Sequence, residues 1–363
     1  MRPSCCKRFV LLLSLLMLSL AGCRAASKRP VFEPVASEPP TGAFLPGRWL
    51  VVQMQEETCR YWLVPVSAFV SNMPSLTDAL VLPCDKVDDI AIVGNTTLLH
   101  APCALAGAGS DACWLAAQWS KHPRWQKTPL HAPIFLYGED ALYPCGAESS
   151  FVQTSWCRWR VGANQPTRLK SRLQPPPGAV PQRLIPLAWG PPWLLMGEED
   201  DCEGGLGGKV WPVDRRYWLF NLTTGLPSPW PVWKAIGSQP RCLHEGESLE
   251  GYAQIDIIGW NPARPDELAF AVRRFPAADY DRPLEAYPFR TEIYVWHTNG
   301  DFVNVAALSR MTCGLWAPDG SGWLCRRLGL RGEVEDLVVL SREGKIAGQW
   351  RHPPDTAVLQ WVP

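Results

Sequence analysis

The chain has no dominant charge: among its 363 residues, 35 basic and 35 acidic side chains cancel. Such a balance favours neither nucleic acid nor an anionic lipid surface as a partner. It also has no apolar run of the ~20 residues that a membrane-spanning helix takes; the run at residues 9–20 stops short of that. Familiar catalytic signatures are missing as well. No G-x-S-x-G turn offers a serine nucleophile, no H-E-x-x-H offers a zinc pair, and neither a Walker A loop nor a strand-to-helix G-x-G-x-x-G is there to cradle phosphate. No C-x-x-C or C-x-x-C-H occurs, so neither a thioredoxin-type redox centre nor covalent haem is indicated. The six histidines (His100, His122, His131, His244, His297, His352) are scattered without ligand spacing and read as surface or loop residues. No residue is named as catalytic, and no cofactor is expected apart from the calcium considered below.

What is abundant is proline (36), glycine (29) and tryptophan (19), which describes many short apolar elements punctuated by turns, without long helices. At the N-terminus, Arg2, Lys7 and Arg8 precede the short apolar run, the order of a secretory signal. The run ends at Leu20-Ala21-Gly22-Cys23. A small pair directly before a cysteine resembles the lipobox of bacterial lipoproteins. That resemblance implies cleavage before Cys23 and a diacylglyceryl thioether on it, with each buried methylene of the anchor contributing ~0.8 kcal/mol. Arg24, rather than Asp, follows the cysteine, which by the same resemblance implies the outer membrane in a host that has one. An ordinary cleaved signal with Cys23 incidental is the alternative. The expected organisation is a signal peptide at residues 1–22, Cys23 with a Pro-, Ser- and Ala-rich tether to residue 46, and one folded domain from 47 to 363.

Cys5 and Cys6 leave with the signal and Cys23 is taken by lipid, so ten of 13 cysteines remain. An even number in an exported chain points to disulfides. Folding "TCGLWAPDGSGWLC" about Asp319 sets Cys313 opposite Cys325, where cross-strand Cβ atoms lie ~4.5–5.5 Å apart, near what a disulfide takes. "CALAGAGSDAC", centred on Ala108, does the same for Cys103 and Cys113. Cys145 and Cys157 follow less directly, while Cys59 with Cys84 and Cys202 with Cys242 are paired only as neighbours. Buried free thiols are the alternative.

A repeat organises the remainder. "IIGWNPARPDELAFAV" at 257–272 aligns with "CGLWAPDGSGWLCRRL" at 313–328: apolar residues, Trp, a Pro-bearing turn, then a second apolar strand. Each continues into a further strand and turn, "TEIYVWHTNGD" at 291–301 and "EDLVVLSREGK" at 335–345. "IPLAWGPPWLLMG" at 185–197 with "RYWLFNLTTG" at 216–225 is a third copy with a longer loop. Trp189, Trp260 and Trp316 anchor these copies and Trp361 of "VLQWVP" adds a fourth, at spacings of 71, 56 and 45 residues. The shortest is near the ~40–50 residues of a propeller blade. The copy at Trp361 lacks its second strand, which "PGRWLVVQ" at 46–53 and "CRYWLVPVS" at 59–67 supply. A C-terminal first strand completing the N-terminal blade is how a β-propeller avoids an open sheet edge. The expected fold is all-β: a propeller of six blades, with seven as the alternative and two stacked β-sandwiches as the competing architecture. Two irregular blades are expected between about residues 84 and 183 and three between 184 and 353.

The "W-x-P-D-G-x-x-W-L" turn at 316–324 and the "EIYVW…NGD" segment at 292–301 resemble the repeats of TolB-like (WD-repeat-like) β-propellers. Three copies carry the resemblance. It implies an adaptor that binds a cell-envelope protein or a cell-wall component without catalysing a reaction, on the outer side of the cytoplasmic membrane. One local feature points elsewhere: Glu198, Glu199, Asp200, Asp201 and Glu203 crowd before the glycine-rich "GGLGG", where hard oxygen ligands on a loop suit Ca²⁺. The spacing is not that of an EF-hand, and a solvated acidic loop is the plainer account. The second reading is therefore an exported propeller enzyme, such as a calcium-dependent lactonase or a quinone-dependent sugar dehydrogenase. It turns on whether these carboxylates stand at the mouth of the central channel. "WCRWR" at 156–160 and "PWPVWK" at 229–234 either expose aromatic surface to a partner or glycan or fill the core between blades.

Overall fold

The computed structural model describes residues 47–363 apart from 56, 67–78, 108–110, 132, 147, 149, 200–209, 212–213, 245, 279–283, 285–286, 330–331 and 353–354. Cys23 and the tether lie outside the described residues.

Short runs rich in β-branched and aromatic residues, cut by Gly and Pro turns, become strands because one face of each is buried. Among the described residues they build six antiparallel four-stranded sheets. Blade 1 takes β1 (Arg48–Gln55), β2 (Thr58–Pro65) and β3 (Leu80–Pro83). Blade 2 is β4 (Asp89–Val93), β5 (Thr96–Pro102), β6 (Ala112–Gln118) and β7 (Gln126–Lys127), and blade 3 is β8 (Phe135–Tyr137), β9 (Asp140–Pro144), β10 (Trp156–Arg160) and β11 (Thr167–Arg168). Blade 4 contains β12 (Leu184–Gly190), β13 (Trp193–Glu199), β15 (Asp214–Asn221) and β16 (Pro227–Pro229), while β14 (Val210–Trp211) pairs aside with β17 (Leu243–His244). Blade 5 is β18 (Ala253–Trp260), β19 (Glu267–Arg274), β20 (Arg290–His297) and β21 (Phe302–Ser309), and blade 6 is β22 (Met311–Trp316), β23 (Gly322–Leu328), β24 (Val334–Ser341) and β25 (Ile346–Arg351). The last strand, β26 (Thr356–Val362), returns to pair with β1 and becomes the inner strand of blade 1. This is the expected six-bladed, strand-closed propeller, with the two irregular and three regular blades at the expected positions. Among the described residues the only α-helix is α1 (Val232–Ala235), a single turn.

The blades hold together through apolar faces. Trp361, Trp49 and Val51 of blade 1 meet Leu324, Leu337 and Trp350 of blade 6. Trp49 stands edge-on to both Trp350 and Trp361, with ring centroids 5.1 and 5.9 Å away, an arrangement worth ~0.5–1.5 kcal/mol per pair beyond area burial. Trp316 packs with Ile258 and Val295 of blade 5, Trp260 with Leu195 and Leu219 of blade 4, and Trp189 with Leu142 and Trp156 of blade 3. Each repeat tryptophan thus sits between its own blade and the one before it. Two glycines are fixed by this packing. A Cβ on Gly190 would overlap Trp260 from the next blade, and Gly320, at φ +70° in the Pro-Asp-Gly turn, lies against the Asn261 side chain of blade 5.

A second inter-blade tie is polar. Glu267, whose side chain is 2 % exposed, accepts from Asn261 Nδ2 at 2.9 Å, pairs with Arg264 at 3.3 Å and receives the guanidinium of Arg342 from the β24–β25 turn of blade 6. It joins blades 5 and 6 at the end of the sheet where Gly320 sits.

Among the described residues four cysteine pairs stand at disulfide distance: Cys59–Cys84, Cys103–Cys113, Cys145–Cys157 and Cys313–Cys325, with Cα separations of 4.9, 5.4, 5.7 and 4.0 Å. Cys313 lies directly opposite Cys325, as the hairpin about Asp319 requires. The other three use one different geometry. Cys59 faces Leu82, Cys113 faces Ala101 and Cys157 faces Tyr143, and in each case the bonded cysteine lies two residues beyond that partner, just past the strand end. Cys242 is also disulfide-bonded; Cys202 lies outside the described residues.

Candidate functional site

Six inner strands, β26, β4, β8, β12, β18 and β22, surround the channel. Four of them share a β-bulge: Leu187, Ile258, Gly314 and Leu359 are skipped by the pairing register. Every one lies two residues before the repeat tryptophan of its strand. A bulge bends a strand and re-aims its side chains. Here Leu187, Ile258 and Leu359 line a cavity of about 370 Å³ inside the channel.

The polar side chains on the cavity wall are Asp89, Tyr137 and Gln360. Two of the three are committed to the scaffold. Gln360 Nε2 donates to the carbonyl of Ile92 at 2.8 Å while its Oε1 accepts from the N–H of Ile92 at 2.6 Å, so one amide side chain locks β26 to β4. The Tyr137 hydroxyl donates to the carbonyl of Asn261 at 3.0 Å, reaching from blade 3 to the end of the inner strand of blade 5. Burial raises the pKa of that phenol.

Asp89 is different. Its side chain is exposed to solvent, yet the surrounding protein removes enough hydration to raise its pKa. Burial is the largest cause, opposed by the Ile90 N–H at 2.8 Å and by His100. Burial together with Asp89 pushes the neighbouring Tyr61 phenol up to about 12. His100 itself faces Asp88, Nδ1 to Oδ2 at 3.1 Å. A carboxyl set among mostly apolar side chains suits a ligand that brings its own donor or positive charge.

The sequence does not single out Asp89, Tyr137, Gln360 or the bulge residues. Their signal is present only as an apolar residue two positions ahead of Trp189, Trp260 and Trp361, which reads as ordinary strand alternation. The carboxylates that it does single out are divided. Glu198 is buried and bound bidentately by Arg216 at 2.6 and 2.9 Å, and it accepts from the N–H of Val180 at 3.1 Å. It does not line the cavity, nor does Glu199. Asp200, Asp201 and Glu203 lie outside the described residues. Trp156, Trp159 and Trp230 are buried and Trp233 is half-buried, so these two tryptophan clusters belong to the inter-blade core.

No family model and no curated protein matches the chain. Solved structures resemble it. The propeller domain of the Trilobed protease from Pyrococcus furiosus is 10 % identical over 72 % of this chain and 71 % of that one, with a TM-score of 0.33. AztD of Citrobacter koseri is 10 % identical over 84 % and 81 %, at 0.35. A quinonprotein alcohol dehydrogenase-like protein of Bacteroides thetaiotaomicron is 9 % identical over 87 % and 77 %, at 0.33. At such identities and scores no activity carries over; the fold rests on the strand pairing described above.

Proposed function

We propose that this chain is an extracytoplasmic lipoprotein, anchored through Cys23, whose propeller binds a cell-envelope protein or a cell-wall component without chemistry. The reading follows from the lipobox-like Leu20-Ala21-Gly22-Cys23 and the TolB-like repeats, and the four cysteine pairs suit an oxidising compartment. The observation that carries the binding part is the channel. Most of its lining side chains are apolar, and two of its three polar side chains are used to join strands. That leaves Asp89 to meet a partner's basic or donor group.

Two expected results test the two halves. Cys23→Ser should move the protein from the membrane to the soluble fraction of host cells, and unchanged fractionation would remove the anchor from the proposal. Mild cross-linking in cells, detergent extraction and mass spectrometry should recover an envelope component in fixed proportion. Asp89→Asn should lower that recovery by about tenfold, the cost of one interaction of ~1.4 kcal/mol. Recovery of the wild-type protein alone would count against binding, and a co-purifying calcium ion or small molecule would favour the propeller-enzyme reading instead.

A further inference from the structure

We propose that the seam between blades 6 and 1 holds an oxyanion-binding site built on Arg326, with His352 beside it to take up a proton when the anion is bound. Strand alternation puts Arg326 on the same face of β23 as Leu324, opposite Leu337 and next to Trp350 across the sheet, the face that packs on blade 1. Its guanidinium donates to the carbonyl of Val358 on β26 at 2.8 Å. Among the described residues no carboxylate lies within 4.0 Å of it. The neighbouring acid, Asp336, is occupied by Arg327 at 3.1 Å and by Gln349 Nε2 at 2.9 Å on the opposite face.

A guanidinium has five N–H donors and stays charged in proteins, so half-burying it against one neutral carbonyl leaves most of its donors without a protein acceptor among the described residues. Buried charges are otherwise paired. Part of the Arg326 surface still faces solvent, which gives a small ion access. A titratable neighbour follows Trp350 on the same face. His352, in the connection from β25 to β26, is held by its main-chain N–H to the carbonyl of Glu335 at 2.7 Å, and its ring hydrogen-bonds the backbone of Thr356. Burial first, and then the Arg326 charge, lower the His352 pKa to about 4, so at neutral pH the imidazole stands uncharged beside the guanidinium. Burial also lowers the pKa of Arg326. An oxyanion on Arg326 reverses the repulsion felt by His352 and gives the fork a planar acceptor for two parallel N–H···O bonds. Carboxylate and phosphate share this chemistry; a dianionic phosphate gains most when His352 takes up a proton, while a carboxylate is matched by Arg326 alone.

The test uses the full chain with sodium phosphate and sodium acetate as probes, against chloride at equal ionic strength and pH 7. Wild type should show a saturable rise in Tm with at least one probe, and Arg326→Gln should lose it. Phosphate is excluded from protein surfaces and raises Tm in both proteins without saturation, so only the saturable difference counts. His352→Asn should weaken phosphate about tenfold and leave acetate unchanged if the natural ligand is a phosphate, and should leave both unchanged if it is a carboxylate. In parallel, NMR titration of the His352 ring should show its pKa moving up from about 4 with saturating anion. Absence of any saturable response in wild type, or its survival in Arg326→Gln, would overturn the site. Should Arg326→Gln fail to fold, a His352 ring that titrates identically with and without either anion overturns it equally.

Discussion

A chain ended after residue 355, and so without β26, is expected to lose cooperative folding altogether. The strand pairs with β1 from Val362 opposite Arg48 to Thr356 opposite Gln53. Removing it takes Val358, Trp361 and Val362 from the clusters on either side of blade 1, where each is at most 6 % exposed. At ~1.5–3 kcal/mol for each large apolar side chain fully buried, those three alone reach ~5–9 kcal/mol. That equals much of the ~5–15 kcal/mol by which a whole domain is stable. The deletion also removes both Gln360 bonds to β4 and the acceptor of Arg326, and it turns β1 into an unpaired edge whose Trp49 and Val51 face solvent. Urea unfolding followed by tryptophan fluorescence, with size-exclusion chromatography, should show no sigmoidal transition and an aggregated product. A transition with the slope of the full chain would mean that the remaining sheets close without this strand.

Closure was legible in the sequence because Trp361 repeats the context of Trp189, Trp260 and Trp316, and because those tryptophans do one job, filling the space between neighbouring blades. Asp319-Gly320 was legible for the same reason, since a tight turn at positive φ leaves few residue choices. Blades 2 and 3 carry no such mark. Their inner strands, "DIAIV" and "FLY", lack the tryptophan, and β7, β8 and β11 are only two or three residues long, too short for alternation to register. The channel was not legible at all, because the bulges at Leu187, Ile258 and Leu359 exist only as a mismatch of register between two strands. Glu198 shows the converse. It stands out in sequence as one of a run of acids, but Arg216, 18 residues later, decides its role by neutralising it inside the blade.

Glu267→Ala is expected to be the most destabilising single substitution among the charged residues that tie blade to blade, at about 3–5 kcal/mol, the cost of leaving a buried ionic partner uncompensated. The carboxylate is 2 % exposed and meets three side chains: Asn261, which is fully buried, Arg342 at 29 % exposure and Arg264 at 54 %. Truncation deprives the Asn261 amide of its 2.9 Å acceptor, leaving it the 3.5 Å contact with the carbonyl of Gly320. It also strands the Arg342 guanidinium over the seam between blades 5 and 6. Arg264→Ala, which removes only the half-exposed partner, should cost about 1 kcal/mol or less, as solvent-screened pairs do. The comparison separates two accounts of the network. If Glu267 acts as the buried node, the two variants should differ by several kcal/mol in urea unfolding, and Glu267→Ala with Arg342→Ala should cost less than the sum of the single changes because the stranded cation is gone. If both single variants fall within 1 kcal/mol of wild type, the seam is held by Trp260, Trp316 and their apolar neighbours alone, and the Asn261 and Gly320 contact is a consequence of blade packing and not a cause of it.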